Sequence, residues 1–93
     1  MENSILKFSY KGQNVEIQCK RNENLTDIFK KYTNKINKDI NNIYFINNGN
    51  IIKNYNIKVE KIINKENKLA ILVYDINNNN ERMVKNEKEK YKN

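Results

Sequence analysis

The chain has 93 residues and a formal net charge of +7, with no His, Trp or Pro, two Gly and one Cys. A sequence without His lacks the commonest general base and metal ligand, and one Cys forms no internal disulfide, which fits a reducing, cytoplasmic compartment. A chain this short buries only roughly 60–65% of its unfolded surface, so the expectation is one domain whose patterned apolar residues nearly all serve one core.

Asn, Lys and Ile dominate, as an AT-rich coding sequence would make them, so part of the positive charge reflects codon bias. Residues that cost GC-rich codons, Gly12, Gly49 and the single Ala70, are the ones a physical constraint would keep. No apolar run approaches the ~18 residues of a membrane span; the longest, Leu69 to Tyr74, has strand length. Met1-Glu2-Asn3-Ser4 carries neither the basic nor the apolar region of a secretory signal, and the expectation is a soluble intracellular protein.

Ile5–Tyr10 alternates, with Leu6, Phe8 and Tyr10 on one face, and Val15–Lys20 alternates with Val15, Ile17 and Cys19 on one face. Joined by Lys11-Gly12-Gln13-Asn14, the two runs predict a half-buried β-hairpin with Cys19 as a small inward hydrophobe. The period then changes. Leu25, Ile28, Phe29, Tyr32 and Ile36 form one helical stripe, with Asn24 as N-cap and Asp27 favourable near the positive helix end. The helix is expected to stop around 37–42, where Asn and Asp are dense.

Ile43–Ile46 predicts a short strand that Ile51-Ile52 answers across a turn at Gly49. Residues 53–68 read as a connection with a helical turn near Val59–Ile63. Lys68–Ile76 is the most strand-like segment, apolar on both faces in its middle, which suits a central strand. From Asn77 four asparagines lead into a charged stretch, so residues 77–93 read as linker followed by a charged helix or disorder.

This order resembles the ubiquitin-like family over residues 5–76. Tyr44-Phe45-Ile46-Asn47-Asn48-Gly49 resembles the third strand and glycine turn of that family, and Ile63 to Leu69 matches the gap before its last strand. Tyr55-Asn56-Ile57 also matches a tripeptide of ubiquitin, but lies too far upstream of the final strand and is read as coincidence. The resemblance implies an α+β roll of the β-grasp type: a mixed four- or five-stranded sheet wrapping one helix, the first and last strands parallel and adjacent at its centre. Conjugated modifiers end in a diglycine after the final strand, whereas Asp75-Ile76-Asn77 runs into polar residues. The expectation is a non-conjugated, non-enzymatic module spanning 1–76, followed by the 77–93 tail.

Cys19 has no imidazole partner, the carboxylates Glu16, Glu23, Asp27, Asp39, Glu60, Glu66 and Asp75 are dispersed, and neither glycine sits in a phosphate-cradling motif. No catalytic residue, metal or cofactor is expected. Nucleic-acid binding needs basic residues gathered on one face, yet residues 1–76 hold 13 basic and 8 acidic side chains, with Lys20-Arg21 and Lys30-Lys31 the one local cluster. Protein binding is the leading reading. The resemblance places Ile46 on the third strand, and Ala70 and Leu72 on the last, at the family's exposed apolar patch; Tyr74 extends it. The partner is then one or more proteins, including a large multi-subunit complex. Two alternatives stay open: a small structural subunit anchored by its tail, and a basic nucleic-acid-binding protein. The tail or the connection covering this face is the competing structural explanation for its apolar residues.

Overall fold

A computed structural model describes residues 3–76, so the tail reading for 77–93 lies outside the described residues. Strands β1 (Asn3–Tyr10), β2 (Gln13–Lys20), β3 (Ile43–Asn47), β4 (Asn50–Ile51) and β5 (Lys68–Asp75) form one mixed sheet in the order β2-β1-β5-β3-β4. Helix α1 (Leu25–Ile36) packs on one face of it, and 3₁₀ turns cover Ile40–Asn42 and Val59–Lys61. β1 and β5 pair in parallel at the centre, from Ile5 opposite Lys68 to Ser9 opposite Leu72. This is the expected arrangement, with five strands.

The first hairpin is tighter than its polar stretch implied. Tyr10 pairs with Gln13, so the loop is Lys11-Gly12 alone, and both residues have positive φ (49° and 81°). Two left-handed residues in succession make the hairpin turn whose twist matches its strands. Gln13 and Asn14 therefore belong to β2, and Ser9 Oγ donates to Asn14 Oδ1 at 2.7 Å across the pair. Asn48-Gly49 repeats the device (φ 53° and 78°), and β4 is Asn50–Ile51 instead of Ile51-Ile52. Ile52 still ties back, its N–H donating to the Phe45 carbonyl at 2.8 Å.

Alternation decides which side chains enter the core. Leu6, Phe8, Ile17, Cys19, Ile43, Phe45, Leu69, Ile71 and Val73 point inward from the strands, and Leu25, Ile28, Phe29 and Tyr32 meet them from α1. Aromatic rings organise the middle: Phe8 stacks on Tyr32 at 4.2 Å and Phe29 on Phe45 at 4.0 Å, with Phe8 edge-on to Phe29 at 5.7 Å. β5 is the central strand anticipated, but only its inward face is buried; Ala70, Leu72 and Tyr74 are exposed.

The ends of α1 are held differently. Asn24 occupies the N-cap with extended backbone, but its side chain makes no capping bond. The connection caps the helix instead: Leu25 N–H donates to the Ile57 carbonyl at 2.8 Å and Thr26 N–H to the Tyr55 carbonyl at 2.9 Å. These satisfy donors that a helix leaves unpaired at its start. At the other end Asn37 is left-handed (φ 58°), with Asn37 N–H donating to the Asn34 carbonyl and Lys38 N–H to the Thr33 carbonyl, the pattern that closes a helix on an αL residue.

Tyr32 is completely buried, and its hydroxyl finds no partner among the described residues. Burial pushes the phenol pKa up. Removing an unpaired buried hydroxyl while keeping the stacked ring relieves its desolvation cost. Tyr32→Phe is therefore expected to leave stability unchanged or raise it by up to about 1 kcal/mol, measured by chemical denaturation. A clear loss would mean that the hydroxyl has a bonded partner.

Candidate functional site

The outward face of the sheet is built from the residues that alternation turns away from α1. On β5 these are Ala70, Leu72 and Tyr74; β3 contributes Tyr44 and Ile46, and β1 contributes Lys7 and Ser9. The register sets Ile46 beside Leu72 and Tyr44 beside Tyr74, whose rings stack at 5.7 Å. Ile51 lies beside Ile46 on the opposite side from Leu72. Leu72 (45%), Tyr74 (46%) and Ile51 (52%) are among the most exposed large apolar residues. A solvated sheet face would carry polar residues at such positions.

Of the four residues singled out from sequence, the fold brings Ile46, Leu72 and Tyr74 together as direct or diagonal neighbours. Ala70 sits one outward position further along β5, opposite Lys7. Its side is a depression of about 450 Å³ lined by Ile5, Lys7, Glu16, Asn64, Lys68 and Ala70 among others. The small side chain between larger neighbours leaves this hollow. Tyr44 and Ile51 were missed, although both carried a signal. Tyr44 is two residues from Ile46 in an alternating strand, and the two-residue turn at Asn48-Gly49 forces Ile51 opposite Ile46.

The end of the sheet nearest Tyr74 is pinned by charge. Tyr10 Oη donates to Asp75 Oδ1 at 2.7 Å, and Lys11 Nζ lies 3.1 Å from Asp75 Oδ2, with Lys38 Nζ 3.7 Å from Oδ1. Both ammonium groups also face the Tyr10 ring, at 5.4 and 5.7 Å from its centre. The Tyr10 hydrogen bond, aided by Lys11 and Lys38, holds the Asp75 carboxyl below its usual pKa. Lys11 is raised by the Asp75 carboxylate, and Lys38 by Tyr10 and then Asp75.

Because Asp75 is depressed in the folded state, its contribution to stability is fully present above the unfolded carboxylate value of about 3.9. It is lost as pH falls through the folded value. The raised lysines act in reverse, contributing below their unfolded value and fading as pH rises through the folded one. An NMR titration following the Asp75 carboxyl carbon should place its midpoint below that of an Asp in an unfolded control peptide. Tyr10→Phe should move that midpoint upward. A midpoint unmoved by Tyr10→Phe would remove the hydrogen bond as its cause.

Cys19 is buried, and burial first, then the Glu23 charge, push its thiol pKa up, with Lys31 opposing; it stays protonated at neutral pH. Among the described residues no three His, Cys, Asp or Glu side chains converge as metal ligands, and no helix is long and apolar enough to cross a membrane. In the basic cluster, Arg21 is already engaged, its guanidinium donating to Asn67 Oδ1 at 2.8 Å.

No protein-family model and no curated protein matches the chain by sequence. Comparison of folds does find matches. The ubiquitin-like domain of an Arabidopsis thaliana protein, determined by solution NMR, superposes with a TM-score of 0.69 at 13% identity, over 81% of this chain and 79% of that one. Caldiarchaeum subterraneum ubiquitin superposes equally well, with a TM-score of 0.69 at 10% identity, over 81% of this chain and 95% of that one.

Proposed function

We propose that this chain, which has the ubiquitin-like fold, is a non-enzymatic interaction module that docks a protein partner on the outward face of its sheet. The observation that carries this reading is the contiguous apolar strip Tyr74, Leu72 and Ile46, built across the two strands β5 and β3, with Leu72 and Tyr74 exposed and Ile46 half-buried beside a polar β1 flank. Exposed apolar clusters on small domains mark contact sites. Ala70 extends the strip into the neighbouring hollow, where a partner's side chain would seat. In this reading residues 1–76 form the module, residues 77–93 an appended tail, and the protein works inside the cell as an adaptor or a subunit of a larger complex.

The test is affinity purification of the full chain with mass spectrometry, followed by binding measurements on the captured partner with wild type and Leu72→Ser. Loss on Leu72→Ser with the fold intact supports the sheet face. Loss only on removing residues 77–93 transfers the role to a tail-anchored subunit. A steep loss of affinity with salt, insensitive to Leu72→Ser, transfers it to nucleic acid.

A further inference from the structure

β2 ends the sheet, and its outer side pairs with nothing among the described residues. It is a full eight residues long, in a chain without Pro, and its register with β1 runs unbroken from Gln13 to Lys20. The remaining edge, β4, has only two residues. Long regular edges invite pairing, and proteins usually blunt them by Pro, bulges or inward charges. The inward residues of β2 are Val15, Ile17 and Cys19, all uncharged.

Hairpin geometry shows which backbone groups are free. Tyr10 and Gln13 flank the two-residue loop and form a hydrogen-bonded pair, so bonding alternates from there: Gln13, Val15, Ile17 and Cys19 bond to β1. Asn14, Glu16 and Gln18 therefore turn free N–H and C=O groups to the open edge; Lys20 turns its groups the same way, its N–H free and its carbonyl already accepting from Glu23 N–H at 3.1 Å, with a second lone pair left for a partner. The same four residues carry exposed side chains.

Their charges select a partner. An antiparallel pair of identical strands centred on Gln18 sets Gln18 opposite Gln18 of the second copy, and Glu16 opposite Lys20 of the second copy, twice over. Centring on Glu16 or on Lys20 would instead put like charges face to face, which is unfavourable. On the inner side Ile17 meets Cys19 of the second copy, and the charges beside Cys19, Glu23 and Lys31, are of opposite sign.

We propose that β2 pairs antiparallel with β2 of a second copy of this chain, in the register centred on Gln18, joining the two sheets into one. The two-fold axis of such a pair stands perpendicular to the sheet, so both outward faces look the same way. β2 is separated from β3 by β1 and β5, so Leu72 and Ile46 stay free in both copies. The dimer does not depend on the proposed binding face. If both hold, the pair presents two such faces side by side, and linked binding strengthens attachment without new contacts.

Sedimentation of the full chain at concentrations up to about 1 mM, where a contact of small area still registers, should show a reversible dimer. Glu16→Lys and Lys20→Glu, both at exposed positions, should each weaken it by roughly tenfold or more, since two attractive pairs become repulsive. Mixing the two single variants should form a heterodimer. One copy then carries a lysine at both paired positions and the other a glutamate at both, so each facing pair is again of opposite charge. The double swap E16K/K20E should restore self-association for the same reason. Leu72→Ser should leave the dimer intact, which separates this contact from the sheet face. A wild type monomeric throughout, or a dimer unmoved by either single swap, overturns the proposal.

Discussion

Phe29→Ala is expected to cost roughly 3–5 kcal/mol of folding stability, as deletions of fully buried aromatic rings do. Phe29 is 0% exposed and is the point where helix and sheet meet. Its ring stacks on Phe45 at 4.0 Å and lies edge-on to Phe8 and to Tyr55, at 5.7 and 5.0 Å. These neighbours come from β3, β1 and the connection, so they cannot close the cavity by moving one element. Small domains have stabilities of about 5–15 kcal/mol, with short chains toward the low end, so the variant should be largely unfolded at ambient temperature or close to it. Equilibrium denaturation followed by circular dichroism checks this. A loss below about 1 kcal/mol would show that the ring is not packed as described, since a buried Phe truncation does not cost so little.

Leu72→Ser should leave that core untouched and act on binding instead. Leu72 is on the central strand but 45% exposed, and its inward neighbours Ile71 and Val73 hold β5 in place. A central apolar anchor costs about 2 kcal/mol or more when truncated, on the order of thirtyfold in affinity. The change should be nearly independent of salt, because no charge is removed and apolar contact is weakly screened. Circular dichroism should be unchanged. An affinity equal to wild type would eliminate Leu72 as an anchor, and with it the sheet face centred on it.

Much of the fold was legible because it is written in short-range periodicity. Leu6 and Phe8, Ile17 and Cys19, and Leu69, Ile71 and Val73 alternate, and each alternating set lies inward. The stripe Leu25, Ile28, Phe29, Tyr32 lies against them for the same local reason, the helical repeat. The two glycines marked two turns, both with positive φ. Less legible was the length of the first turn. Lys11 and Asn48 also adopt positive φ, which no glycine signals, so the polar stretch looked longer than the loop.

The candidate site divides along the same line. That Leu72 and Tyr74 face outward follows from alternation within one strand. That Ile46 and Tyr44 are their neighbours is a statement of register between β3 and β5, which a strand's own residues do not encode.

By itself, the sequence determined the elements, their order and the inward face of each, because nearest neighbours along the chain settle which backbone period buries apolar side chains. It also determined that chemistry requiring His was unavailable. Only the tertiary structure decided that carbonyls of Tyr55 and Ile57 cap the helix while the Asn24 side chain does not. It alone tied Asp75 to Tyr10, Lys11 and Lys38, and left β2 as the open edge. Those contacts join residues tens of positions apart. Their partners are chosen by the packing of the whole sheet on its helix, and a local pattern holds no record of that choice.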